Sequence, residues 1–285
     1  NLWNFKKKIM KKKKKKNNNK FNGYRGFKVS YENDLTNGLT LSISAKKTTE
    51  EALFDYNFKN LGKEFDISST TITLKYSPNS KNIMTSQGKY TYDQQFPEFY
   101  FNYEQGYKTL GGNLNFSRID ALISHNFKTK IGVTGVRLYG GLITGEAPIW
   151  KNFSMNGLGN SKAGFNFNLT SYLGFATMQG GQYYSDKFVG TYITHRIPWY
   201  FKSIGKNVSS FDLIYRGIIG DMKNPEFHQF EFQNLNHLYN EVGLEWNNLL
   251  SSQFNLGFFY RVGHYNTPGF KDNFAVQFKF KILGF

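Results

Sequence analysis

The chain has 285 residues, of which 18% are aromatic, with a formal net charge of +16 and no cysteine. The absence of cysteine excludes disulfides and thiol chemistry, and no run approaches the 18 apolar residues that a membrane-spanning helix needs. A transmembrane β-barrel remains compatible with the mean hydropathy of −0.52, because only every second residue of its strands faces lipid.

The N-terminal segment carries most of the charge. Ten lysines and no acidic residue lie within residues 1–20, which leaves 26 basic against 20 acidic residues in the rest. The block Lys11–Lys16 followed by Asn17–Asn19 has low complexity, and we expect residues 1–25 to be disordered. This segment is either a solvated linker or a ligand for anionic phosphate. Elsewhere basic residues alternate with acidic ones, so we expect no nucleic-acid partner.

Alternation with a period of two recurs from residue 26 to the end and predicts strands with one apolar and one polar face. At the C-terminus, for example, the apolar set Phe274, Val276, Phe278, Phe280 and Ile282 alternates with Ala275, Gln277, Lys279 and Lys281. The predicted strands are 26–33, 38–47, 69–77, 96–103, 118–127, 132–143, 188–197, 209–219, 240–248, 253–262 and 272–282. An ambiguous stretch, 164–172, would make twelve. The sequence thus predicts an all-β, transmembrane antiparallel β-barrel domain over residues 26–285.

The lengths of the connections indicate an orientation. Barrels of the outer membrane have short periplasmic turns and long outer loops. With the C-terminus in the periplasm, turns 128–131 and 249–252 are short and periplasmic, whereas 144–187 is one long outer loop that we expect to fold into the lumen. Segment 78–95 is the exception, since it is long for a periplasmic turn.

The odd number of strands predicts that the chain is part of a longer protein. A complete barrel of this class has an even number of strands and begins and ends in the periplasm. Eleven strands would start on the outer side, so we expect either further strands before residue 26 or one more strand within the chain. The lysine block would then be an outer loop that lies against lipopolysaccharide phosphates.

Charged residues at alternate positions mark the face predicted to line the lumen. An open channel could use them to orient solutes, and a plugged barrel could use them as ion pairs to an inserted loop. The candidate lumen-lining residues are Arg137, Arg196, Arg216, Glu241, Glu245, Arg261, Lys279 and Lys281.

No motif indicates covalent chemistry. The five histidines (His125, His195, His228, His237 and His264) lack H-E-x-x-H or any other paired-ligand spacing, and the chain has no G-x-S-x-G elbow. We therefore expect no enzyme activity, no metal and no cofactor. A lipid hydrolase embedded in the barrel stays open as an alternative, because a serine and a histidine could meet across neighbouring strands.

Two stretches resemble a known family. They are Gly141–Pro148, which leads to Gly159 and Asn160, and Tyr184–Phe188, which runs into His195–Pro198. Over roughly residues 70–285 they resemble the C-terminal barrel of a Bacteroidota outer-membrane family of unknown function, in which a carboxypeptidase-regulatory-like domain commonly precedes the barrel.

This family is distantly similar to the surface-antigen superfamily of outer-membrane assembly and translocation barrels. Those barrels have sixteen strands and a lumen loop before the fifth strand from the end, which is where 144–187 lies here. The resemblance implies that about five strands are missing and that the function is an assembly-factor or translocator one. It also implies that the partners are outer-membrane lipid, lipopolysaccharide and possible further outer-membrane proteins or periplasmic domains of the parent chain. The superfamily's Val-Arg-Gly-aromatic loop motif is absent, since Val136-Arg137-Leu138-Tyr139 lies in a predicted strand. A passive channel is the alternative.

Overall fold

Eleven long strands dominate the computed structural model, which describes residues 20–85, 88–93, 95–154, 157–159, 166–167, 173–204, 207–249 and 254–280. We number these strands along the chain. They are β1 (Asn22–Thr36), β2 (Leu39–Ala52), β3 (Glu64–Tyr76), β4 (Glu98–Tyr107), β5 (Phe116–Thr129), β6 (Gly132–Gly145), β7 (Lys187–Ile204), β8 (Asn207–Asp221), β9 (Tyr239–Asn247), β10 (Phe254–Gly263) and β11 (Phe274–Phe280).

All eleven predicted strands are present, and the fold is all-β as expected. Most strands are longer than the alternation alone indicated. β1 begins at Asn22, inside the segment 1–25 that we expected to be disordered, and residues 1–19 lie outside the described residues. Between the predicted strands 188–197 and 209–219, β7 continues to Ile204 and β8 starts at Asn207, so most of this connection is part of the two strands.

The chain divides into two compact units. Unit 1 comprises residues 1–124, 139–153 and 222–231. Its strands are hydrogen bonded in the order β1-β2-β3-β4-β5-β6, and neighbours are antiparallel in each register that is defined (β1 with β2, β2 with β3, β3 with β4 and β4 with β5). A two-residue turn, Asn37–Gly38, joins β1 to β2, and Gly38 takes a φ of +83° that favours glycine.

Unit 2 comprises residues 125–138, 154–221 and 232–285. It contains the turn end of the β5-β6 hairpin, residues 125–138. Its strands are hydrogen bonded in the order β6-β7-β8-β9-β10-β11. The pairs from β7 to β11 are antiparallel. Asn166 and Phe167 pair in parallel with Gln277 and Phe278 of β11, so the described part of the ambiguous stretch 164–172 is a two-residue ladder.

Short elements fill the connections. Strands Lys81–Thr85 and Gly88–Asp93 form a hairpin, which explains why 78–95 is long for a turn. The other short strands are Asn57–Phe58, Phe153–Ser154, Gly157–Gly159, Asn166–Phe167, Phe175–Gln179, Tyr184–Ser185 and His228–Gln229, and the helical turns are Ile149–Lys151, Pro225–Phe227 and Phe270–Asn273. Within the described ranges, no helix combines the length and apolar character needed to cross a membrane.

The burial of the long strands is inverted relative to a water-soluble sheet. Large apolar side chains of one face are exposed, including Ile43, Ile72, Phe101, Leu213 and Phe258. Polar side chains of the opposite face are buried, including Ser44, Glu104, Asp212, Glu241 and Gln277. Soluble proteins show the opposite arrangement, since they bury apolar groups and rarely bury charges. The apolar residues of the alternating pattern are thus on the exposed face, as predicted.

Candidate functional site

Buried charges on the polar face of unit 1 contact the segment that follows β6. Glu50 of β2 and Glu104 of β4 are 5% and 7% exposed. The Nζ atom of Lys151, in the helical turn Ile149–Lys151, lies 3.2 Å from a Glu50 oxygen and 3.4 Å from a Glu104 oxygen. Lys46 contributes a second cation, 3.1 Å from Glu104. The two cations balance the two carboxylates, as buried charges require.

An indole and two hydroxyl groups donate hydrogen bonds in this unit-1 cluster, which we define as Lys46, Glu50, Glu104, Trp150 and Lys151. The indole Nε1 of Trp150 donates to the second oxygen of Glu50 at 2.7 Å. Ser69 donates to Glu104 at 2.9 Å, and Thr48 donates to Glu50 at 3.0 Å. Since each carboxylate has neutral donors as well as a cation, both are well satisfied.

A buried histidine, His228 from the connection between β8 and β9, contacts the same segment. The Tyr56 hydroxyl is 2.8 Å from Nδ1 of His228 and accepts the backbone N–H of Ile149 at 2.9 Å. Asn152 is 3.3 Å from Nε2 of His228. Burial, with a smaller effect from Lys59, lowers the pKa of His228 to about 4. The imidazole is therefore neutral at pH 7 and serves as a hydrogen-bonding link between residues 149–152 and Tyr56.

Unit 2 has its own contact between the polar face and the long connection. Arg216 of β8 donates to the backbone oxygen of Gly174 at 2.8 Å and pairs with Glu241 of β9 at 3.0 Å. Glu241 is fully buried, and its second oxygen accepts the backbone N–H and the hydroxyl of Thr177 at 2.7 and 2.8 Å. Tyr239 lies 3.0 Å from the same hydroxyl. Residues 174–177 are thus held by an arginine–glutamate pair.

The structure gives surroundings for seven of the eight candidate lumen-lining residues. Arg216, Glu241, Glu245 and Arg261 are buried, and Arg137 is half-buried. Lys279 pairs with Glu245, which also accepts from Asn255, and Arg261 donates to Asn273. Arg196 pairs with Asp212 at 2.8 Å but keeps 55% of its side chain exposed. Lys281 lies outside the described residues.

Sequence reasoning missed several members of these clusters. Glu50 lies beyond the predicted strand 38–47. The alternation of Ser44, Lys46, Thr48 and Glu50 continues β2 and could have revealed it. Trp150 and Lys151 lie in a helical turn and Thr177 lies in a five-residue strand, and both elements are too short for periodicity to mark a face. Phe259 was also missed: it is 1% exposed on the polar face, under the guanidinium of Arg216, and the run Phe258-Phe259-Tyr260 hides its direction.

The described residues contain no cluster of three or more histidine, cysteine or acidic side chains that could hold a metal ion. The five histidines occupy four environments: His195 bonds to Thr134, His125 packs on Phe127, His228 bonds to Tyr56, and His237 stacks on His264. The ion pairs and hydrogen bonds described above fix parts of the segment after β6 against charged strand faces.

We expect Lys151→Met to destabilise the fold strongly. The change leaves the buried Glu50 and Glu104 with one cation in place of two, and breaking such a buried pair costs about 3–5 kcal/mol. The matched control is Lys108→Met, because Lys108 is 58% exposed in its pair with Glu146 and should contribute about 0–1 kcal/mol. Urea unfolding in detergent, followed by tryptophan fluorescence, measures both. Equal effects of the two substitutions would contradict a structural role for the unit-1 cluster.

The free energy of unfolding should also decrease when the pH is lowered, because His228 is held neutral in the folded protein. Its pKa is about 4 when folded and about 6.5 when unfolded, so the unfolded chain binds more protons between these values. The stability contribution is complete above pH 6.5 and is lost as pH falls towards 4, by about 3 kcal/mol at most. Unfolding curves at pH 7.5 and pH 4.5 should therefore differ less for His228→Gln than for the unchanged chain. An identical pH dependence of both proteins would refute this assignment.

Comparison with known proteins agrees with this fold. The structure resembles that of BamA from Haemophilus ducreyi lacking POTRA domains 1–3, with a TM-score of 0.58 and 11% sequence identity. The match covers 92% of this chain and 54% of that one, so the chain spans about half the length of the BamA structure. At this identity the likeness shows a shared barrel fold alone. No curated protein matches the sequence.

A family profile matches residues 4–146, about half of the chain. This match confirms the family to which we found a resemblance. The matched range, however, lies nearer the N-terminus than residues 70–285, where we expected it. The second motif stretch, Tyr184–Pro198, falls beyond it. The chain belongs to the family of unknown function (DUF5686), C-terminal domain.

Proposed function

We propose that this chain is part of an outer-membrane β-barrel of the assembly-factor or translocator type, which acts without covalent chemistry. The observation that carries the proposal is the anchored segment after β6. Residues 150–151 contact the polar face of unit 1, and residues 174–177 contact the polar face of unit 2. Five long strands, β7 to β11, follow this segment. A lumen loop before the fifth strand from the end is also the arrangement in the surface-antigen superfamily.

The exposed apolar face supports the membrane location. Side chains such as Leu213, Val242 and Phe258 are 40–49% exposed along neighbouring long strands, and contiguous apolar surface of this extent is unfavourable in water. The bilayer gives these side chains an apolar solvent, while the buried ion pairs keep charges away from it. Outer-membrane lipid and lipopolysaccharide are thus the proposed surroundings.

The paired charges favour a scaffold with an anchored segment over an open channel. Arg216, Glu241, Lys151, Glu50 and Glu104 are all engaged by each other or by the segment 144–187. A conducting channel would present charged side chains to water, where they could meet solutes. We therefore propose a scaffold whose inserted segment is held in place, in keeping with the assembly and translocation barrels that the family resembles.

Substitution of the exposed face tests the membrane location. Leu213 lies in the middle of β8 and is 49% exposed. Leu213→Arg should lower the stability of the barrel in lipid by about 2–4 kcal/mol, the cost of arginine near the middle of the bilayer. The matched control is Leu110→Arg, because Leu110 is 78% exposed in a loop and should tolerate the change. The measurement is the folded fraction in vesicles over a urea series. Two variants that fold as well as the unchanged chain would argue against lipid contact.

The functional proposal is tested with the full-length parent protein in liposomes. Unfolded outer-membrane barrel clients should insert faster into these liposomes than into empty ones or ones carrying an unrelated barrel of similar size. Unchanged insertion rates would remove the assembly-factor version. Discrete conductance in planar bilayers, without any effect on clients, would instead identify a passive channel.

A further inference from the structure

The turn that joins β5 to β6 is basic, and we propose that it binds the anionic head group of a phospholipid in the periplasmic leaflet of the outer membrane. β5 ends at Thr129 and β6 starts at Gly132. Lys128 and Lys130 are both exposed here. We define residues 128–131 as the basic turn. The inference rests on the proposed membrane location and adds a lipid specificity to it.

No acidic side chain of unit 2 is placed to neutralise the basic turn. Three acidic residues of this unit lie at the opposite end of its strands: Asp186, Asp221 and Asp272. The other three are buried on the polar face, where each pairs with a cation: Asp212, Glu241 and Glu245. The sequence has no acidic residue between Asp120 and Glu146. The charges of Lys128 and Lys130 are therefore available to a ligand.

The next connection at the same end repeats this charge pattern in the sequence. Lys202 and Lys206 occur where β7 is followed by β8, and no acidic residue occurs between Asp186 and Asp212. β6 and β7 are neighbours in the sheet, so the two hairpins are adjacent. Lysines without nearby carboxylates are the charge distribution that attracts an anionic membrane surface.

An aromatic cluster places the basic turn near the membrane boundary. Gly132 lies against β7, because a Cβ atom on it would be only 1.9 Å from the backbone oxygen of Arg196. Trp199 follows three residues further along β7, and its ring is 4.7 Å from that of Phe211 and 6.4 Å from that of Trp246. Barrels concentrate aromatic side chains where lipid meets water. The basic turn is thus at the level where phospholipid head groups lie.

Apolar side chains beside the lysines favour a lipid over an acidic protein. Phe127 and Ile131 flank Lys128 and Lys130 and are 51% and 69% exposed. A lysine can keep its methylene groups in apolar surroundings while its ammonium group reaches a polar layer. A phospholipid offers both surroundings, because its acyl chains contact the apolar side chains and its phosphate contacts the ammonium groups. An acidic protein surface would supply carboxylates and leave Phe127 and Ile131 in water.

Quenching of tryptophan fluorescence by brominated lipids tests the proposal near Trp199, which is 42% exposed. The chain is reconstituted in vesicles with brominated phosphatidylglycerol or brominated phosphatidylcholine, and the difference from Trp199→Phe isolates the signal of Trp199. We expect the unchanged chain to prefer phosphatidylglycerol at this site. In Lys128→Gln/Lys130→Gln the preference should fall at least fivefold, since one lysine near an anionic surface strengthens attachment about fivefold. The preference should also weaken at high salt.

The matched control is Lys81→Gln/Lys108→Gln, which removes the same charge from two exposed lysines that already pair with Asp93 and Glu146. This variant should keep the lipid preference. The folded state of all variants is checked by heat-modifiable migration in gels.

The outcomes separate this inference from the membrane location on which it rests. Quenching by neither lipid would remove the membrane location and the lipid site together. Equal quenching by both lipids would leave the location intact and overturn the site. The same preference in Lys128→Gln/Lys130→Gln as in the unchanged chain would overturn it too. If a polyglutamate peptide abolished the preference, the basic turn would instead be assigned to an acidic protein.

Discussion

The pairing of buried charges is the interaction on which the rest of this structure depends. The long strands expose the apolar side chains of one face and bury polar groups of the other face, where burial of an unpaired charge would be prohibitive. Glu50 and Glu104 meet Lys46 and Lys151 in unit 1, and Arg216 meets Glu241 in unit 2. Each pair also receives neutral donors, such as Trp150 and Thr177. These contacts hold the segment after β6 at defined positions on the charged faces of the strands.

The anchoring of that segment links the fold to the proposed function. A segment held by fully satisfied ion pairs and hydrogen bonds has a fixed place, whereas one that rests on apolar contacts alone can slide, because polar networks are directional. In unit 1 the contact is made by a cation of the segment, since Lys151 lies between two strand carboxylates. In unit 2 the roles are reversed, since a strand arginine binds a loop carbonyl. The same segment is thus fixed through different donors in each unit.

Much of the fold was predictable, because alternation is a local property of strands. Ile43 and Ser44, or Val242 and Glu241, differ in hydropathy in the way that the two faces require. The ends of the strands were harder to predict from the sequence. Thr48 and Glu50 extend β2 beyond the predicted 47, and residues 198–204 extend β7, because ladder hydrogen bonds to neighbouring strands continue where the apolar alternation fades. Segment 78–95 looked anomalous only because its hairpin is too short for the pattern to register.

The sequence by itself determined the fold class, the number of long strands, the side of each strand that is apolar and the candidate set of charged residues on the other side. A period of two is sufficient for all of these, since it depends on neighbouring residues alone. Only the tertiary structure decided which charges pair, and that Trp150, Lys151, Gly174 and Thr177 are the partners from the irregular segment. It also brought His237 onto His264. These contacts join residues far apart in the chain, and their positions follow from register and from loop conformation, which no local pattern encodes.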